Sequence, residues 1–181
     1  MKTQRRLAET LKDMMATTPI DSISVTTLSK KCGINRQTFY YHFHDVYDLL
    51  TLVFLNEKVE KLDKEINPHN LFVSLYNYYE KNTAFIDATL NSDGKDLFVE
   101  FVNNNCYTTF LKILNAHKDS KKVTIADRKA IARFYGYAYA CTIVFFITNT
   151  KNKTLDKFLK DIKVTEDNFL EIALENCIKR K

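Results

Sequence analysis

The chain has 181 residues, 45% of them hydrophobic and 27% charged, a balance that is globular rather than disordered, with length for a real core as one large domain or two small ones. Three Gly and two Pro are too few for a turn-rich β architecture, so the composition leans all-α. The net charge of +5 permits nucleic acid as a partner, and its distribution is uneven: residues 1–44 carry +4 and the remainder +1.

In chain order, Leu7, Leu11, Met14 and Met15 recur at helical spacing and predict a first helix with one buried stripe. Pro19 ends it. A second helix starts near Ser24 or Thr26, either of which can cap the free N–H groups. Gly33 ends that helix, since a left-handed backbone costs glycine little. Asn35 caps a third helix from Arg36 to about Phe43. From Val46 an amphipathic helix is expected to run to about Ile66, ahead of Pro68. Further helices are expected at roughly 70–90, 94–117, 124–150 and 165–179, with "NSDG" and "NTKNKT" as loops.

Two short helices joined by a tight turn containing Gly fit a helix-turn-helix. At 100° per residue, Phe39 and Phe43 of the third helix share an inner face closed by Ile34. Gln37, Thr38 and Tyr41 point outward, flanked by Arg36, Tyr40 and His42. Guanidinium, amide, hydroxyl and imidazole groups can bond to base edges and phosphates, and no carboxylate lies between Ile23 and His44 to repel them. From periodicity alone an ordinary amphipathic helix pair with its polar face in water remains open.

The run "ISVTTLSKKCGINRQTFYYHFHDVYDLL" resembles the DNA-binding region of the tetracycline-repressor (TetR) family of bacterial regulators. Ile23, Ser24, Val25, Gly33, Ile34, Asn35, Phe39, Tyr40, His42, Phe43, Leu49 and Leu50 carry the match, which covers about residues 5–52. The resemblance implies an N-terminal three-helix DNA-binding domain (1–48) followed by a helical-bundle domain (49–181) for effector binding and dimerisation. It implies a cytoplasmic homodimer on a near-palindromic operator in double-stranded DNA, most simply a repressor. It also implies the contacts: Ser24 at the cap near a phosphate, Arg36, Gln37 and Thr38 at the bases, Tyr40 on a backbone phosphate, with Tyr41 and His42 in reach of the same strand. Thr26, Lys30 and Asn35 complete the expected DNA-binding set, and Val46 stands where family members commonly carry a phosphate-binding lysine. A subset of the family activates dihydroxyacetone kinase operons, and "NRQTFYYHF" with a short aromatic-rich C-terminal region is similar to that group.

For the C-terminal region, Tyr76, Tyr79, Phe98, Phe101, Tyr135 and Tyr139 are the expected lining of an effector pocket, although rings at such spacing also serve as core. The last two long helices are the expected dimer interface, through Phe145, Phe169, Ala173 and Cys177. The helix from Val46 is the expected lever between effector and DNA.

Cys32, Cys106, Cys141 and Cys177 lie far apart without paired spacing, as small buried hydrophobes would. His42 and His44 diverge on a helix, and no GxSxG, HExxH or Gly-rich phosphate loop occurs, so no enzyme, metal or cofactor is expected. The first residues hold no apolar signal core, and the apolar run from Phe134 to Ile147 is shorter than the ~20 residues a membrane span needs. The competing reading is a helical interaction module that binds no DNA.

Overall fold

The computed structural model describes residues 2–60, 62, 66–149, 154–163 and 168–180. The regular structure there is helical throughout: α1 (Lys2–Met15), α2 (Val25–Lys31), α3 (Arg36–Tyr40), α4 (Val46–Asn56), α5 (Pro68–Lys81), α6 (Thr83–Leu90), α7 (Lys95–Ala116), α8 (Ile125–Asn149), α9 (Leu155–Lys163) and α10 (Phe169–Lys179), with single 3-10 turns at Ile20–Ser22 and Ser120–Lys122. The all-α expectation holds. Contacts divide the chain into two compact units, residues 1–58 with 79–101 and residues 59–78 with 102–181.

In the first unit the stripe read from the sequence is the inner face of α1: Leu7, Leu11 and Met15 are fully buried. This face packs on α2, α4 and α6. Leu49, Leu50, Val53 and Phe54 of α4 meet it, and the Phe54 ring sits 5.5 Å from both Phe85 and Phe101 and 6.0 Å from Phe98. Gly94 lets its loop close over α4, because a Cβ there would lie 2.8 Å from Leu50 Cδ2.

Two expected helices end early. The α4 helix stops at Asn56 rather than near Ile66, with Glu57 already extended at φ −67° and ψ 141°. Lys12 Nζ donates to Glu57 Oε1 at 2.6 Å in a part-buried pair that ties this extended residue to α1. The expected lever from Val46 to Ile66 is therefore not one helix; residues 61 and 63–65 of that stretch lie outside the described residues. The helix expected at 70–90 breaks at Asn82, and the Thr83 hydroxyl donates to the carbonyls of Tyr79 and Glu80 at the break.

In the second unit α7 and α8 cross closely. Gly136 of α8 is buried there, and a Cβ on it would stand 3.0 Å from both the Cα and the N of Tyr107. Rings fill the space around the crossing. Phe110, Tyr135, Tyr139 and Phe169 form one cluster, with centroids 4.5–6.3 Å apart. Phe72, Tyr76, Phe146 and Phe158 form another. Phe158 belongs to α9, a helix after "NTKNKT" that the sequence reading did not include; residues 150–153 and 164–167 around it lie outside the described residues.

By length and composition α8 is apolar enough to cross a membrane. Arg128, Lys129 and Arg133 occupy its first turns, and Phe134–Asn149 falls short of the ~20 residues needed. One face of α8 is buried and the other carries exposed Phe134, Tyr137, Cys141 and Phe145. The exposure of Cys141 corrects the expectation of four buried cysteines: Cys32 and Cys106 are buried and Cys177 is half-buried.

Candidate nucleic-acid interface

The helix pair is built from its caps. Ser24 Oγ accepts from the N–H of Thr27 at 3.1 Å and opens α2, so Ser24 rather than Thr26 is the cap. At the far end the N–H of Gly33 donates to the Lys30 carbonyl (3.1 Å) and that of Ile34 to the Ser29 carbonyl (3.0 Å). This Schellman arrangement needs a left-handed residue, and Gly33 supplies it at φ +62°. Two residues later Asn35 Oδ1 accepts from both the N–H (2.7 Å) and the hydroxyl (2.9 Å) of Thr38 and opens α3.

With both ends fixed, the rings of "TFYYHF" separate by face. Phe39 is fully buried and Phe43 nearly so, their centroids 5.7 Å apart. Arg36, Gln37, Tyr40 and Tyr41 are exposed, Tyr41 at 84%. The Arg36 guanidinium lies 5.9 Å from the Tyr40 centroid, one turn along, an arrangement that holds the charged fork beside the phenol. Tyr41 and His42 meet edge to face at 4.9 Å. Ser24, Thr26, Lys30 and Asn35 are exposed as well.

Two details differ from the sequence reading. The α3 helix ends at Tyr40, so His42 sits half-buried in the turn beyond it. Thr38 is half-buried, and its hydroxyl is already engaged by Asn35.

A clasp that sequence reasoning missed closes the base of the pair. The Tyr47 hydroxyl donates to Asp21 Oδ1, joining the start of α4 to the 3-10 turn before α2. Burial, then the Asp21 carboxylate, pushes the Tyr47 phenol up to about 12. Nothing in local periodicity marks this pair, whose members are 26 residues apart. Asp45 caps α4 by accepting from the N–H groups of Tyr47 and Asp48, both at 2.8 Å.

Five of the six expected effector-pocket residues lie in ring contacts within their own units. Phe98 and Phe101 are core beside Phe54, and the Tyr79 hydroxyl donates to Asp87 at 3.2 Å. Tyr135 and Tyr139 belong to the Phe110 cluster, and Tyr76 packs on Phe146. Rings at helical spacing serve here as core.

Of the expected interface residues, Phe145 is exposed while Ala173 and Cys177 are half-buried. Phe169 turns inward, its ring 4.5 Å from Tyr135 and its carbonyl accepting from the Tyr135 hydroxyl at 3.4 Å. Exposed Ile172 of α10, which packs on α8, escaped notice because it lies off the broad face read from the sequence.

A family profile described as a transcriptional regulator C-terminal region, TetR_C_8, matches residues 66–167. The chain is 30% identical over 86 residues to the HTH-type dhaKLM operon transcriptional activator DhaS of Lactococcus lactis subsp. lactis (strain IL1403), a match spanning 46% of each protein. The chain thus spans about half the length of that curated relative in the match. The solved structure of a dihydroxyacetone kinase operon activator DhaS has the same fold, with a TM-score of 0.61 at 22% identity over 97% of this chain and 96% of that one.

Proposed function

The chain belongs to the TetR family of transcriptional regulators, and from that premise we propose that it binds a near-palindromic operator as a cytoplasmic homodimer and answers to a small-molecule effector. The observation that carries the reading is the outer surface of α3, where Arg36, Gln37, Tyr40 and Tyr41 are exposed over a buried Phe39. Arg36 offers a two-pronged donor to guanine and Gln37 an amide pair to adenine, while Tyr40, Tyr41 and Lys30 serve phosphates. Residues 1–48 act as the DNA-binding region and 49–181 as the effector and dimerisation region.

One α3 reads only a few base pairs, so specificity calls for two copies. The exposed Phe134, Cys141 and Phe145 on α8, with exposed Ile172 on α10, which packs on α8, support a second copy of this chain as the partner.

The test is selection of bound genomic fragments by the purified chain, followed by anisotropy titration on the winning fragment. Arg36→Ala is expected to weaken specific binding by about 1–3 kcal/mol and relax the preferred sequence. Absence of any salt-dependent binding to duplex DNA would leave the interaction-module reading in its place.

Repression follows when the operator overlaps a promoter. The names of both relatives favour a second reading, activation of an operon. A reporter carrying the selected fragment decides the direction: expression rises on adding the protein in one case and falls in the other.

A further inference from the structure

The close crossing of α7 and α8 leaves a cleft beside it. Gly136 lets the helices touch, and on that side Asn103, Asn104 and Tyr107 from α7 face Arg133 and Tyr137 from α8 across about 230 Å³. Each helix contributes a pair four residues apart, so both pairs lie along one face of their helix. The space is smaller than the ~300–1,000 Å³ of sites for drug-sized ligands, so its occupant is compact.

The lining is rich in donors: one guanidinium with five N–H groups, two amides and two phenols, and no carboxylate. Arg133 is exposed and makes no ion pair or hydrogen bond with a described residue. The Oδ1 of Asn103 is buried and unbonded among the described residues, so no bond through that oxygen fixes the amide, and it can turn its N–H groups toward a bound oxygen. A fork of donors with two amides and two hydroxyls around it matches a planar or tetrahedral oxyanion.

We propose that this cleft binds the carboxylate or phosphate group of a small polar molecule, with Arg133 as the anchor and Asn103, Asn104, Tyr107 and Tyr137 as the surrounding donors. The site differs from the aromatic residues expected to form a pocket, which are spent in packed ring clusters. It gives the effector reading a place and a chemical class, and rests on that reading only for its regulatory meaning.

The full chain, without DNA, is titrated by NMR with inorganic phosphate and separately with glycolate, against chloride at equal ionic strength. The expected result is a saturable shift of the Asn103 and Asn104 side-chain amides with at least one of the two anions, and the tighter one names the oxyanion class. Arg133→Gln is expected to weaken that binding about tenfold or more, because a charged hydrogen-bond partner is lost from an exposed position where folding is not at stake. Equal shifts with chloride, or unchanged affinity in R133Q, would overturn the proposal. So would an R133Q variant that changes only self-association, which would make the guanidinium a contact between copies. Failure here leaves the operator reading untouched, since no DNA takes part.

Discussion

Helices α3 and α8 both hold aromatic side chains out to solvent, but in opposite company. On α3 the exposed rings are phenols, Tyr40 at 50% and Tyr41 at 84%, beside Arg36 and Gln37. On α8 two of the three exposed rings are bare, Phe134 at 71% and Phe145 at 60%, with the phenol Tyr137 and Cys141 between them. A ring with a polar tip among cations suits a wet, anionic partner, whereas a bare ring among apolar neighbours gains only when water is removed. The two surfaces therefore suit different partners, and the ones proposed are DNA for the first and a second copy of the chain for the second.

Neighbouring rings give the sharpest way to break this comparison. Phe39→Ala removes a fully buried ring, and Phe146→Ala removes one that is 2% exposed. Each is expected to cost about 3–5 kcal/mol in urea unfolding. Tyr41→Ala, two residues from Phe39, is expected to change stability by less than about 0.5 kcal/mol while weakening DNA binding. A large stability loss in Y41A would mean that this ring belongs to the core.

Phe145→Glu comes next. It is expected to leave folding intact and to weaken self-association by about 2 kcal/mol or more in sedimentation equilibrium, because a charge would be buried against an apolar surface. An unchanged association constant would remove α8 from the interface.

The helix pair was legible in the sequence because its signals are local. Gly33 stands out among three glycines, Asn35 is a good cap, and Phe39 and Phe43 are one turn apart. The end of α4 was not legible, since Val59, Leu62 and Ile66 continue a plausible helical spacing. Where the helix ends, Glu57 pairs with Lys12, 45 residues away, a contact that local spacing does not show. The pattern for α9 was present in Leu155, Phe158, Leu159 and Ile162, with the Thr154 hydroxyl accepting from the N–H of Lys157, but it was hidden beside a polar loop. Ring roles in the second unit depend on helix phase to within one residue. Phe145 and Phe146 are adjacent and face opposite ways, so composition could not assign them to pocket, core or interface.

Gly33→Ala tests whether the outward face of α3 depends on the turn before it. No atom lies within 4 Å of a Cβ at this position, so the cost is conformational only. About 1–2 kcal/mol is expected, and less for Gly33→Asn, since asparagine tolerates the left-handed region better. Equal losses in the two variants would point to crowding instead of backbone strain.

The smallest expected effect concerns the clasp that holds the helix pair in place. Tyr47 and Asp21 bracket α2 and α3 in sequence, so their bond ties the two ends of the DNA-facing segment together. The folded phenol is raised to about 12 from the ordinary value of 10, which means that the protonated form is the one the fold prefers. Below pH 10 both folded and unfolded chains keep this proton, and the contribution is fully present. As pH rises from 10 through 12 the unfolded chain gives up the proton first, so stability falls across that window. Urea midpoints of the wild-type chain are therefore expected to drop more between pH 9 and pH 11.5 than those of Tyr47→Phe, which has no proton to lose. Near neutral pH the variant is expected to be slightly less stable and to bind its operator more weakly, because the pair that orients α3 has lost one of its ties. Parallel pH profiles for the two proteins would show that the bond does not survive in solution, and that packing of Phe39 and Phe43 alone keeps the polar face of α3 turned outward.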